Sequence, residues 1–283
     1  MTTWATGKGH HRHDYNMNTE KTMQNRMTLR VAAGSLAFAL PKDTDRTQVD
    51  FYKYASKNGI SVAAQLRDAF KTVDLLKNAT TDRAKVMVDS PVLLIPLDEY
   101  NDNDKETLYK HSFPSTEGCT IIGNVLPDLN AVAVFALNRD LKLVVEDHYS
   151  DTRYIHLMQP VWDYLHRRHF LGNRRKLYVY FHDNELEMFS FERNHFIFYN
   201  RYQARSAKDA VYFTLFVWKQ LALDQMHDEL FLGGEIPDKE QLLRGLRSYV
   251  QMVAVISSAA SFSNVPLTQE KGITFDMITS LLA

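Results

Sequence analysis

The sequence predicts an α/β protein of two similar lobes around a central cleft, each lobe a mixed sheet flanked by helices. Three observations predict it. An apolar meander opens each half, with Leu29, Val31, Leu36 and Phe38 in the first and Leu177, Val179, Leu186 and Phe189 in the second. A serine-capped helix and then a buried strand follow each meander. With 283 residues, 45% of them hydrophobic, the chain can bury the core of one large domain or two ordinary ones.

In chain order, residues 1–26 are polar and are expected to form a disordered tail without the apolar core of a signal peptide. Met23 and Met27 stand as alternative starts, and His10, His11 and His13 lack a cysteine or carboxylate at metal-ligand spacing. The first lobe is expected over 27–172. Leu29 to Leu40 reads as extended chain broken at Ala33-Gly34-Ser35, with Val49 to Tyr54 as its partner. Ser61 caps a helix carrying Val62, Leu66, Phe70 and Val73. Lys85 to Pro96 holds two apolar pieces around Ser90-Pro91, where proline favours a sheet edge or a bulge. Asp98, Glu99, Asp102, Asp104 and Glu106 are expected to open a helix towards His111, and they lack the glycine and distal glutamate of a calcium-binding hand. Two strands, Thr120 to Val125 and Ala131 to Leu137, meet at Pro127-Asp128. A helix from Arg139 to His148, a strand from Arg153 to His156 and a helix from Met158 to Arg168 complete the lobe.

Gly172-Asn173 marks the boundary, and the second lobe is expected over 173–283. Its strands through Phe181, Phe191 and Arg201 are separated by Asp-Asn and Arg-Asn turn pairs, and Ser206 caps a long helix ending near Ala222. A short strand, Glu229 to Leu232, stops at Gly233-Gly234. A helix from Lys239 to Tyr249, a strand from Val250 to Ile256, a small-residue loop from Ser257 to Asn264 and a closing helix from Phe275 to Leu282 follow. That helix is expected to be packed, so that truncation harms folding.

Charge and cysteine usage exclude several classes. Thirty-three basic residues against thirty-four acidic ones give a net charge of -1, so no global field draws the chain to nucleic acid or an anionic membrane. No apolar run has the ~18 residues of a membrane span. The lone Cys119 fits a reducing compartment, and a soluble, cytoplasmic protein is expected. The scattered histidines form no hydrolase elbow or zinc-binding helix; His182 and Asp183 beside Glu185 and Glu187 make the one acid/base candidate. Arg167, Arg168, Arg174, Arg175 and Lys176 form a basic cluster able to hold an anion or RNA.

The repeat, together with Leu230-Phe231-Leu232-Gly233-Gly234, resembles the actin-like (ribonuclease H-like) ATPase superfamily of sugar kinases, heat-shock chaperones and pilus-assembly scaffold proteins. More closely, the segments Ser90 to Pro96, Asn130 to Phe135 and Phe198-Tyr199-Asn200 through Gly233-Gly234-Glu235 are similar to an uncharacterised Bacteroides-type family of unknown function with that fold. The resemblance implies a cleft in which Gly34, Asp183, Gly233, Gly234 and Glu235 would meet a nucleotide. It also implies an Asp-x-Gly turn in the first hairpin of each lobe, where the acid organises Mg²⁺ and the glycine meets phosphate. Here those turns are Ala32-Ala33-Gly34 and Asp183-Asn184-Glu185, so neither is intact. Phosphoryl transfer loses its main electrostatic stabilisation. The expectation is therefore no catalytic residue, no metal and no cofactor, ATP with Mg²⁺ being unsupported by intact motifs, in an interaction module for an unknown protein partner. A nucleotide-binding switch or kinase and an RNA-binding accessory protein are the alternatives.

Overall fold

The computed structural model describes residues 25–42, 44, 46–170 and 172–282; the predicted tail and its three histidines, except for Asn25 and Arg26, lie outside them. Those two residues are docked. Asn25 donates to the Pro41 carbonyl at 2.8 Å, and Arg26 donates to the Asp151 carbonyl at 3.0 Å and pairs with its carboxylate. Strand β1 (Met27–Val31), β2 (Leu36–Pro41) and β3 (Val49–Tyr54) form the predicted antiparallel meander. Helix α1 (Val62–Thr72), whose Ala64 amide is capped by Ser61, and the short α2 (Asp74–Lys77) lead to β4 (Arg83–Val88), parallel to β1.

The chain then makes an excursion. Strand β5 (Val92–Pro96), helix α3 (Lys105–Ser112), β6 (Cys119–Leu126) and β7 (Ala131–Asn138) build a separate antiparallel sheet in the order β5-β7-β6. Proline at each end of β5 and its edge position agree with the reading of Ser90-Pro91. The acidic run opens α3 later than expected: only Glu106 lies in the first turn. The Asn101 side chain accepts from the Asn103 amide at 3.1 Å, a local turn that competes with helical hydrogen bonding. Helix α4 (Arg139–Glu146) returns the chain to β8 (Asp151–His156), parallel to β4, and α5 (Gln159–His169) follows.

The second lobe repeats the path. Strands β9 (Lys176–His182), β10 (Glu185–Glu192) and β11 (His195–Gln203) form a meander; α6 (Ala207–Gln220), capped by Ser206, leads to β12 (Glu229–Gly234) parallel to β9, and α7 (Lys239–Arg247) to β13 (Met252–Val255) parallel to β12. The strand orders β3-β2-β1-β4-β8 and β11-β10-β9-β12-β13 are the same topology. A short α8 (Ser258–Ser261), capped by Ser257, stands where a loop was expected, and α9 (Phe275–Leu282) ends the described chain.

The last helix of each half covers the other half's sheet. Trp162 of α5 lies edge-on to Phe196 and Tyr199 of β11, while Met277, Ile278 and Leu281 of α9 pack with Ala37, Ala39 and Met87 of the first sheet. The C-terminal segment, assigned by sequence order to the second lobe, therefore completes the core of the first. Apolar area decides this exchange, because those alanines leave room for a helix, and Leu267 from the segment before it buries against the same face.

Candidate functional site

The site lies where the first hairpins of the two lobes meet. Ala32 and Ser35 exchange backbone hydrogen bonds of 3.0 and 3.4 Å across the loop Ala33-Gly34. In the second lobe, Asp183 and Asn184 both have positive φ, 46° and 64°, the backbone pattern of a type I′ turn. The loops touch: Ser35 Oγ donates to Asp183 Oδ1 at 2.5 Å, and a Cβ on Gly34 would stand 3.7 Å from that same oxygen.

A buried ion-pair network fixes this contact. Arg30, on the wholly buried β1, sends Nη2 to Asp183 Oδ2 at 2.8 Å, Nη1 to Ser35 Oγ at 2.6 Å, and Nε to both Asp276 oxygens at 3.0 and 3.2 Å. Asp276 opens α9, is 0% exposed, and also accepts from Tyr180 Oη at 3.3 Å. One guanidinium thus ties together β1, the second-lobe hairpin and the C-terminal helix. Burial opposes the charge on Arg30, but Asp276 and Asp183 outweigh it and raise its pKa. Burial likewise opposes the Asp183 charge, while His182, Arg30 and Ser35 hold its carboxyl well below the usual range.

A second set continues into the cleft. His182 lies 3.4 Å from Asp183 and 3.2 Å from Glu187, whose other oxygen accepts from Tyr199 Oη at 2.5 Å. Arg201 of β11 crosses the cleft to Asp89 at 2.7 Å and also pairs with Glu185 at 3.2 Å. Burial would depress His182, yet Asp183 and Glu187 push it up to about 10, so the imidazole is a cation at neutral pH and not a base. One ligand atom each of Asp89, His182 and Glu187 lie within 4.8 Å of one another. The guanidinium of Arg201 and the imidazolium of His182 already supply the positive charge those carboxylates need.

A pH dependence follows. A folded pKa above the unfolded value of ~6.5 means stability that is complete below pH ~6.5 and lost as pH rises towards 10. The expected loss is on the order of a few kcal/mol, read as a falling urea midpoint between pH 6.5 and 9. His182→Gln should be less stable at pH 6.5 and nearly flat over that range. A wild-type midpoint that does not move would mean the ring is neutral.

The other sequence-predicted residues are dispersed. Gly233 packs against Tyr180 and Ile256, and a Cβ on Gly234, at φ 80°, would sit 2.0 Å from the Phe181 carbonyl oxygen. Gly234 is thus required by the approach of β12 to β9. Glu235 is exposed, 3.7 Å from Lys53. In the basic cluster, Arg167 donates to the Asp163 carbonyl and lies 3.8 Å from Asp128; Arg168 stacks over Tyr164 and donates to its hydroxyl. Arg174 and Lys176 pair with Glu229, and Arg175 with Asp228. These cations secure the start of β9 and the end of α5. Burial pushes the Cys119 thiol up, away from reactivity.

Arg30, Ser35, Asp89, Arg201 and Asp276 were not anticipated. The available signal was a charge inside an apolar run, Leu29-Arg30-Val31, which demands a buried partner without naming it. Beside the network a cleft of about 810 Å³ runs between β5 and β11. Among the described residues, no helix is long and apolar enough to cross a membrane.

Solved structures place this architecture. A Bacteroides thetaiotaomicron protein of unknown function with an actin-like ATPase fold is similar at a TM-score of 0.80 and 22% identity, over 94% of this chain and 99% of that one. The PilM-PilN type IV pilus biogenesis complex is similar at a TM-score of 0.54 and 11% identity, over 87% of this chain and 92% of that one. The fold is accordingly actin-like. No curated protein matches the chain. The model of a protein family of unknown function, DUF3822, matches residues 14–253. That match takes in most of the chain, which belongs to the DUF3822 family.

Proposed function

We propose that this protein is a non-catalytic, actin-like interaction module. The observation that carries the reading is the capture of Asp183 by Arg30 and Ser35. Asp183 is the carboxylate at the tip of the second hairpin, Glu185 beginning the next strand and pairing with Arg201, and a metal needs the lone pairs of Asp183 free. Its oxygens instead receive donors from the opposite lobe, and its negative charge faces the loop where an anionic phosphate would lie. Arg30 cannot readily switch from Asp183 to a phosphate, because its other donors are committed to Asp276 and Ser35. A neighbour of the same fold comes from the PilM-PilN type IV pilus biogenesis complex, so a docking role is compatible with this architecture.

The expected result is no Mg²⁺-dependent ATP turnover and no rise in melting temperature with millimolar ATP and Mg²⁺, since a ligand of the native state raises it by mass action. Turnover abolished by Asp183→Asn would overturn the proposal. A nucleotide-dependent thermal shift lost in Gly34→Val would replace it with a nucleotide-binding switch.

A further inference from the structure

We infer that the cleft between β5 and β11 receives an extended, basic segment of a partner protein, which adds to β5 as a further strand. This deepens the interaction-module reading and rests on it. Each of β5 and β11 pairs on one side only, so both are sheet edges. Residues 92–94 of β5 and 196–201 of β11 line the cleft consecutively. Side chains alternate between the faces of a strand, so consecutive lining residues mark an exposed edge, not a face.

The phase of the hydrogen bonding shows which groups are open. Leu97 N donates to Asn130 O at 2.9 Å, in register with the β5–β7 ladder. Alternate residues therefore bond inward, namely Leu93 and Ile95, while Val92 and Leu94 turn their N–H and C=O outward; Val92 is buried, so half-buried Leu94 is the accessible one. On β11, the two-residue turn at Asp183-Asn184 makes His182 and Glu185 a bonded pair of β9 and β10, so Leu186, Met188 and Ser190 bond towards β11. Tyr199, Arg201 and Gln203 are then the outward residues of β11. The Arg201 amide is taken by the Asn200 side chain at 2.8 Å, which leaves β5 the freer template.

Pro91 and Pro96 frame that template, so an added strand is confined to a short window beside Val92 to Ile95. A bulge lets Ile197 stand unpaired between Phe196 and Phe198, and its 42% exposed side chain lines the cleft with theirs. Apolar residues of the incoming segment meet these. Its basic residue is specified by charge: Asp89, Asp183, Glu185, Glu187 and Asp276 outnumber Arg30, His182 and Arg201 in the connected network. Glu185 is the carboxylate of that set lining the cleft with an accessible side chain, 19% exposed. Main-chain pairing supplies affinity and the alternate pockets supply selectivity, as in other strand additions.

The test uses the full chain and a short capped peptide alternating valine and lysine, with a glutamate-for-lysine version as its control. The lysine peptide is expected to protect the amide of Leu94 from hydrogen exchange, and the glutamate peptide to bind at least about tenfold more weakly. Leu94→Pro removes one outward donor and leaves the β7 ladder intact; it should lose binding with its melting temperature unchanged. If that variant does not fold, Glu185→Gln carries the test by weakening the lysine peptide severalfold. No protection at millimolar peptide, or equal binding of both peptides, overturns the inference. So does a dimer of the unliganded protein dissociated by Leu94→Pro, which assigns the edge to a second copy. Failure here together with absent ATP turnover removes the strand-docking inference alone, whereas ATP turnover removes the reading beneath it.

Discussion

Arg30→Met is expected to lower the unfolding free energy by about 3–5 kcal/mol, the usual cost of leaving a buried charge without its partner. The apolar replacement keeps the flexible stem and removes the guanidinium, so the loss of the buried charge comes first and the space it leaves second. Asp276 is 0% exposed and loses the guanidinium that meets both of its oxygens; Asp183 loses its contact at 2.8 Å. Desolvation then falls on two carboxylates at once. The check is a urea titration, with the triple variant Arg30→Met, Asp183→Asn, Asp276→Asn as control. Removing all three charges should recover part of the loss, because the penalty lies in the unpaired ions and not in the absence of the pair. A single-variant loss below ~1 kcal/mol would show that water reaches the network.

Ending the chain after Ser263 is expected to abolish cooperative folding. Met277, Ile278 and Leu281 are 0–2% exposed. Full burial of such side chains contributes about 1.5–3 kcal/mol each, so their joint loss is comparable with the ~5–15 kcal/mol that holds an ordinary domain together. The truncation also strips Arg30 of Asp276, so the apolar and ionic losses coincide in one lobe. Near-ultraviolet circular dichroism and a melting curve of the fragment read the outcome. A soluble fragment with a sharp transition would show that the first sheet tolerates the exposure of Ala37, Ala39 and Met87.

Much of the scaffold is legible in local residue patterns because its causes are local. Ser61 and Ser206 cap the helices expected of them, and Asp183-Asn184 forms the hairpin turn that its side chains favour. The matching meanders become two sheets of one topology. The third sheet was partly visible: β6 and β7 read as two strands joined at Pro127-Asp128 and do pair, but pairing β5 with β7 depends on contacts across the intervening helix and strand. The acidic run before α3 misled because a helix dipole and a tight turn favour the same residue types.

The candidate site was legible only at its turns. Asp183 and Gly34 stand out in sequence, and the structure does bring their loops together, yet what Asp183 can do depends on Arg30, 153 positions away. By itself the sequence determined the order of the main strands and helices, the repeat and the absence of an intact Asp-x-Gly pair, all of which follow from side-chain period, capping and turn chemistry; the short α2 and α8 escaped it. Tertiary structure alone decided that the C-terminal helix covers the opposite lobe and that Asp276, 246 residues from Arg30, shares its charge with Asp183. A buried ion must find its counter-ion wherever the chain can place one, and no local pattern records that choice.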